Sequence, residues 1–154
     1  MKYTQGKYPI IEKTTLAKEV YDLTILCPDV AEAAEMGQFV NVFVEGRTLR
    51  RPISLCGIDK EKGTIRLVFE VRGNGTKEMS ALNAGGLIDI LAPLGRGWKT
   101  ETKTEKYENA IIIGGGIGTP PMLPIAEFFG KNATVITGFR NAAAVILQED
   151  FKKT

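Results

Sequence analysis

One short run of glycines constrains the fold of this chain more than any other feature. The glycines at residues 114–118 follow an apolar run at residues 110–113 and precede a stretch of helical composition that reaches about Phe129. A second apolar run follows at residues 133–137. Continuous apolar runs of this length predict strands buried on both faces of a parallel sheet. The order strand, glycine loop, helix, strand predicts the start of an α/β nucleotide-binding sheet.

The glycine loop departs from the standard nucleotide motifs. Gly114, Gly116 and Thr119 occupy the three glycine positions of Gly-x-Gly-x-x-Gly, and the lysine of a P-loop is missing, which argues against ATP hydrolysis. Thr119 and Pro120 suit the N-cap and first position of a helix. Pro124 would break a continuing helix, so the regular helix is expected to begin close to that proline. An anion bound here would be held by glycine amides; the alternative is a tight strand-to-helix turn without a ligand.

The first hundred residues have a different pattern, that of short strands separated by turns. Strands are predicted at residues 8–16, 20–27, 38–44, 51–55, 65–71 and 87–91. Residues 31–36 suit a brief helical turn, and residues 76–82 suit a short helix with Thr76 as its N-cap. Six short strands with one small helix predict a closed antiparallel β-barrel.

A polar stretch at residues 96–109 separates these two patterns. We therefore predict a barrel domain at residues 1–98, a linker at 99–108 and the N-terminal part of a nucleotide-binding domain at 109–154. The last segment is too short for a complete doubly wound sheet, so the chain is expected to be C-terminally truncated. An unfinished sheet leaves exposed edges, which predicts either self-association or a disordered tail after about Gly138.

Composition excludes several classes of chemistry. The chain of 154 residues contains no histidine, which removes His-based triads, general bases and metal ligands. Cys27 and Cys56 are too few for an all-cysteine metal site, so the chain is expected to bind no metal and to depend on a bound cofactor for any chemistry. The net charge of +2 comes from interspersed charges, which argues against nucleic-acid binding. The apolar runs are strand-sized and the N-terminus has no signal pattern, so no membrane association and a cytoplasmic location are expected.

Two further motifs could contact a ligand. In Arg51-Pro52-Ile53-Ser54, an arginine fork on a strand can grip a pyrophosphate, while Pro52 fixes the separation between the fork and the Ser54 hydroxyl. The alternative is a solvated arginine pair before an ordinary strand. In Gly73-Asn74-Gly75-Thr76, glycines allow the backbone to approach a phosphate at the start of a helix. The alternative there is a simple turn with an N-cap.

Taken in order, these segments resemble the ferredoxin–NADP reductase superfamily. Within it they are most similar to the electron-transfer subunits of the NAD-dependent, two-subunit dihydroorotate dehydrogenases of pyrimidine biosynthesis. The resemblance is carried by Arg51-Pro52-Ile53-Ser54, Gly75-Thr76, Pro93-Leu94-Gly95 and the glycine loop with Pro120-Pro121. It implies a six-stranded antiparallel Greek-key, FAD-binding β-barrel followed by a partial α/β nucleotide-binding domain.

The resemblance also implies a site for each of two cofactors. It places Arg51, Pro52, Ile53 and Ser54 at the ribityl phosphate and flavin N5, Val68, Phe69 and Glu70 along the isoalloxazine, and Gly75 and Thr76 at the pyrophosphate of FAD. It places Gly114, Gly115, Gly116, Ile117, Gly118 and Thr119 around NAD(H), the co-substrate. It assigns no catalytic side chain, because the flavin performs the chemistry.

Partners follow from the same resemblance. It implies a hetero-oligomer with a catalytic dihydroorotate dehydrogenase subunit, with electrons passing through FAD and a 2Fe–2S cluster. The cysteine-rich segment that binds this cluster in full-length relatives is absent from the chain, so the piece is expected to be inactive alone. One alternative is the small subunit of an NADH-dependent ferredoxin–NADP or sulfide-type reductase. Another is a barrel that serves only as an interaction module, without flavin.

Overall fold

A closed β-barrel forms most of the molecule. The structure, a computed structural model, describes residues 3–98 and 109–154. The six barrel strands are β1 (Thr4–Ala17), β2 (Val20–Leu26), β3 (Phe39–Val42), β4 (Arg51–Asp59), β5 (Thr64–Glu70) and β6 (Leu87–Leu94). They pair antiparallel in the order β1-β2-β5-β4-β3-β6. Because β2 lies beside β5 and not beside β3, the connection is a Greek key, and the predicted barrel is confirmed.

Alternation along the strands fills the barrel. On β5, Ile65, Leu67 and Phe69 point into the core and are almost fully buried. Two short helices, α1 (Pro28–Ala33) and α2 (Asn74–Met79), place Val30, Ala31 and Met79 in the same hydrophobic cluster.

The second unit is a β-α-β arrangement. Strand β7 (Ala110–Gly115) is followed by two short 3₁₀ turns, by helix α3 (Leu123–Phe129) and by β8 (Ala133–Gly138), which pairs with β7 in parallel. Helix α3 begins one residue before Pro124, as predicted, because a proline in the first turn breaks no intrahelical hydrogen bond. The partial α/β sheet is therefore confirmed. The linker predicted at residues 99–108 lies outside the described residues, and the domain bounds stay a prediction.

The prediction that both faces of β7 are buried is wrong. Ile112 is 6% exposed, packed with Ile125 of α3, whereas Ile111 is 74% and Ile113 is 69% exposed. Helix α3 covers one face of the two-stranded sheet, and Ile136 of β8 lies next to Ile113 on the open face.

Three local predictions also need correction. Helix α2 begins at Asn74 with Gly73 as N-cap, so Thr76 is not the N-cap but lies in the first turn. Strand β6 does not end before Pro93 but continues to Leu94. The first helical turn starts at Pro28 because proline suits the first position of a helix.

The expectation of a disordered tail after Gly138 is wrong as well. Residues 139–154 fold back onto the barrel and end in a short helix, α4 (Gln148–Phe151). Ile146 and Leu147 are buried against Val68 and Leu123, and this apolar contact provides the reason for their order. Among the described residues, no helix has the length and apolar character needed to cross a membrane.

Candidate functional site

Strand β4 changes its partner halfway along its length. Its first half, Arg51 to Ser54, pairs with β3, whereas Leu55 to Asp59 pair with β5. The ladder between β4 and β5 therefore includes neither Arg51 to Ser54 nor residues 68–70 of β5. If the register of Leu55 with Leu67 were continued, Ser54 would lie opposite Val68 and Pro52 opposite Glu70. The two segments predicted to hold a flavin thus lie on either side of one gap in the barrel wall.

Not all of the predicted side chains point to the surface at this gap. Pro52 and Ser54 are exposed, and Glu70 is partly exposed. Ile53 and Phe69 are buried in the barrel core, and Val68 is buried against the second unit. These three residues could therefore contact a ligand only through their main chain. Their side chains are turned away because successive side chains of a strand point to opposite faces.

Arg51 and Gly75 bring the first two motifs together. A Cβ atom built on Gly75 would lie 2.1 Å from Nε of Arg51, so the guanidinium fills the space that a side chain at Gly75 would take. Thr76 is the next residue, which places all three on the same side of the barrel. Glycine leaves room here for the Arg51 side chain, whereas its own dihedral angles do not call for glycine.

Arg51 is also the arginine of this region that has no carboxylate partner. Arg50 forms an ion pair with Asp89 at 2.8 Å, and Arg47 forms one with Glu78. Arg51 forms no ion pair within the described parts of the chain; its guanidinium donates to the Leu49 carbonyl. An arginine fork without a directly paired carboxylate is suited to binding a phosphate.

The hydroxyl of Thr76 shapes the adjoining loop. Its oxygen accepts hydrogen bonds from the amides of Arg72, at 2.8 Å, and Gly73, at 3.2 Å. Thr76 therefore holds the loop that carries Gly75, a role that is compatible with a ligand contact through its main chain.

The glycine loop has a tight inner side and an open outer side. A Cβ atom on Gly114 would lie 3.0 Å from Cα of Thr119, whereas one on Gly116 or Gly118 would meet nothing within 4 Å. Thr119 is fully buried, and its hydroxyl has no hydrogen-bond partner within the described residues. A buried hydroxyl without a partner costs free energy, so this site fits a ligand that supplies a polar atom.

A cleft of about 270 Å³ lies between the glycine loop and the end of β5, where Glu70 is the predicted flavin-site residue that lines it. Glu70 at the end of β5 and Arg72 just after it form one side, and Gly116, Ile117 and residues 139–141, 143, 144 and 146 form the other. Its basic residues are Lys18, Arg72 and Arg140, against one acidic residue, Glu70, which is paired with Arg72 at 2.6 Å. This balance favours an anionic ligand. The sequence reasoning missed Lys18, Arg72 and Arg140, because they lie in separate turns and no local motif links them.

The two cysteines take no part in this site. Cys27 lies in the barrel core and Cys56 in the cluster beneath the second unit. Burial raises the pKa of each thiol to about 12, so both are protonated at neutral pH. Among residues 3–98 and 109–154, no three metal-binding side chains of His, Cys, Asp or Glu lie together.

Similar proteins were found by sequence and by structure. The chain is 37% identical over 148 residues to the electron transfer subunit of dihydroorotate dehydrogenase B (NAD(+)) from Fusobacterium nucleatum, covering 92% of this chain and 57% of that protein. It is 34% identical to the subunit of the same name from Shouchella clausii, covering 99% of this chain and 61% of that protein. The chain thus spans about three fifths of the length of these relatives. No protein-family model matches it.

Two solved structures illustrate the likeness of the fold. A structure of NADH-dependent reduced ferredoxin–NADP oxidoreductase, described for flavin-based electron bifurcation, superposes with a TM-score of 0.82 at 30% identity, over 94% of this chain and 52% of that one. Ferredoxin–NADP⁺ reductase from Plasmodium falciparum superposes with a TM-score of 0.79 at 17% identity, over 97% of this chain and 66% of that one. The second comparison concerns the fold alone.

Proposed function

Because the chain has a ferredoxin–NADP reductase-like fold and is homologous over most of its length to the electron transfer subunits of dihydroorotate dehydrogenase B, we propose that it binds FAD and serves as such a subunit. It would pass electrons between NAD and a catalytic dihydroorotate dehydrogenase subunit. The observation that carries the proposal is the contact of the Arg51 guanidinium with Gly75 beside the gap between β4 and β5.

The residues at the gap fit a flavin dinucleotide. Arg51, without a carboxylate partner, would neutralise the pyrophosphate, which Gly75 and Thr76 would meet with their main chain. Ser54 is exposed on the same strand and would hydrogen-bond to the ring near N5, with Glu70 on the opposite side of the gap. The backbone of Pro52, Ile53, Val68 and Phe69 would complete the walls. When bound, FAD supplies both the two-electron and the one-electron chemistry of such a subunit.

The glycine loop fits the second nucleotide. Gly114, Gly115, Gly116, Ile117 and Gly118 would let the backbone approach NAD(H), and the buried Thr119 hydroxyl would gain the polar partner that it lacks. Lys18 and Arg140 would attract the phosphates into the cleft that leads to the flavin gap. The protein's contribution would be orientation and electrostatics. We propose no iron–sulfur site in the described part of this chain, and the cytoplasmic location stays a prediction.

A second candidate is favoured by one structure. The likeness to NADH-dependent reduced ferredoxin–NADP oxidoreductase supports the small subunit of a ferredoxin–NADP or sulfide-type reductase, with the same flavin site and a different partner. Co-purification separates the two functions: a dihydroorotate-oxidising subunit supports the first, and a large subunit with several clusters supports the second.

The test of the proposal is FAD binding by the purified chain. We expect flavin absorbance or stoichiometric uptake of added FAD, measured by flavin fluorescence. Loss of one charged hydrogen-bonding group costs about 1.5–3 kcal/mol, so Arg51→Ala should weaken FAD binding about 10- to 100-fold. Arg51→Lys keeps the charge without the fork and should weaken it less. A chain with intact far-UV circular dichroism that takes up no FAD would instead support an interaction module without flavin.

A further inference from the structure

An ion-pair bridge fastens the C-terminal helix to the barrel. Arg66 of β5 donates to Oδ2 of Asp22 on β2 through Nε, at 2.7 Å, and through its second terminal nitrogen, at 2.6 Å. Its remaining terminal nitrogen donates to Oδ1 of Asp150 on α4 at 2.6 Å. One guanidinium therefore joins two barrel strands to the last helix of the chain.

The two arms of the bridge differ in burial. The Asp22 side chain is 9% exposed, and its Oδ1 is buried without a hydrogen-bond partner among the described residues. The Asp150 side chain is 32% exposed. The arm to Asp22 thus lies within the barrel wall, whereas opening of the arm to Asp150 would leave no unpaired charge buried on Asp150.

Other charged groups surround the bridge. Glu127 of α3 and Glu12 of β1 add negative charge beside it, and burial raises the pKa of both Asp22 and Glu127. Arg66 is the cation that interacts electrostatically with each of the nearest acids, Asp22, Asp150 and Glu127. Loss of the ion pair between Arg66 and Asp150 would therefore weaken the attachment of α4 to the barrel.

The bridge also connects the two sides of the cleft. Arg66 precedes Glu70 on β5 by four residues, and Glu70 lines the flavin side. Asp150 follows Ile146 by four residues, and Ile146 belongs to the segment that lines the nucleotide side. Ile146 and Leu147 supply an apolar contact to the barrel, and the ion pair lies at the end of the same segment.

We propose that the Asp150–Arg66 ion pair is a latch that holds residues 139–151 against β5 and so fixes the width of the cleft. Asp150 and Arg66 are then positioning residues for an anionic dinucleotide that lies between the glycine loop and the flavin gap. The identity of that ligand rests on the proposed function, whereas the latch itself is independent of it.

The test compares two neighbouring charges on α4. Asp150→Asn removes the latch, and Glu149→Gln is the matched control, because Glu149 is 74% exposed and pairs with Lys152, the residue that follows the helix. Hydrogen exchange is measured on the full chain without ligands. We expect Asp150→Asn to speed amide exchange in residues 139–151 about three- to tenfold, with barrel strands unchanged, and Glu149→Gln to change neither. Unchanged exchange in residues 139–151 would overturn the latch, whether or not the chain binds FAD.

A second measurement tests the positioning role. In single-turnover reduction of the flavin by NADH in the FAD-loaded chain, Asp150→Asn should raise the apparent Kd for NADH more than it lowers the limiting rate, and Asp150→Glu should restore part of the loss. If exchange increases but the reaction with NADH is unchanged, the pair fastens the helix and does not position the ligand, and that part of the proposal is wrong.

Discussion

At the scale of single residues, the structure separates side chains that the sequence grouped together. Arg51, Pro52, Ile53 and Ser54 form one motif in the sequence, yet Ile53 points into the core while its neighbours lie outside. Phe69 is likewise a core residue. The sequence could predict which strands carry the residues of the proposed site. It could not predict that Gly75 is needed to accommodate Arg51, because that contact joins elements far apart in the chain.

The Arg51–Gly75 contact leads to a prediction with a matched control. Gly75→Ala places a methyl group where the Arg51 guanidinium lies, so the arginine must move. Alanine is favoured over glycine within a helix by about 1 kcal/mol, so stability should hold or rise while FAD affinity falls about tenfold. Gly73→Ala alters the same loop, where a Cβ meets nothing within 4 Å, and should leave affinity unchanged. Calorimetric titration and thermal melts measure both; equal FAD affinity in the two variants would contradict the prediction.

At the scale of elements, the sequence predicted the presence of strands better than the residues at which they end or the burial of their faces. Period-two alternation identified the inward face of β5, and the short apolar runs identified β7 and β8. The apolar run in β7 nevertheless has one exposed face, because periodicity cannot show whether a second layer is present. The start of α2 was misplaced because the Thr76 side chain hydrogen-bonds back to the N-cap amide from within the first turn.

The turn after β7 gives a prediction at this scale. Gly114→Ala brings a Cβ to 3.0 Å from Cα of Thr119, a backbone atom that cannot move aside without shifting the turn. We expect a loss of about 1–3 kcal/mol in the free energy of unfolding, together with weaker NAD(H) binding. Gly118→Ala, in the same loop with open space around it, should cost far less. Urea denaturation followed by far-UV circular dichroism tests this, and equal midpoints for the two variants would show that the turn is not tight.

At the scale of the whole molecule, the cleft was beyond the reach of the sequence. The two nucleotide motifs were predicted separately, and the barrel fold with its partial second unit was predicted as well. That Glu70 of the barrel and the glycine loop line one cleft, with Lys18, Arg72 and Arg140 around it, depends on how residues 139–147 pack on the barrel. Such packing depends on how well the surfaces of the segment and the barrel fit together, and not on the local pattern of apolar residues.

The open face of the β7–β8 sheet predicts self-association. Ile111, Ile113 and Ile136 form an exposed apolar patch on a parallel sheet, a face that is normally covered. Burial of an isoleucine contributes about 1.5–3 kcal/mol, so Ile111→Lys with Ile113→Lys should weaken association more than about tenfold. Ile11→Lys, at a barrel position that is 50% exposed, serves as the control. Sedimentation equilibrium measures the association constant, and a wild-type chain that stays monomeric at about 100 μM, a weak-dimer concentration, would refute the prediction.

Because β4 belongs to two ladders, its length is constrained during evolution. If one residue were inserted into or deleted from β4, the side chains on one side of that position would switch faces of the strand. Either Ser54 would then point inward, or Leu55 would no longer lie opposite Leu67. Length variation in related chains should therefore collect in the turns that flank the strand, at Glu45-Gly46 and Lys60-Glu61, while β4 itself accepts replacements of side chains but not a different number of them.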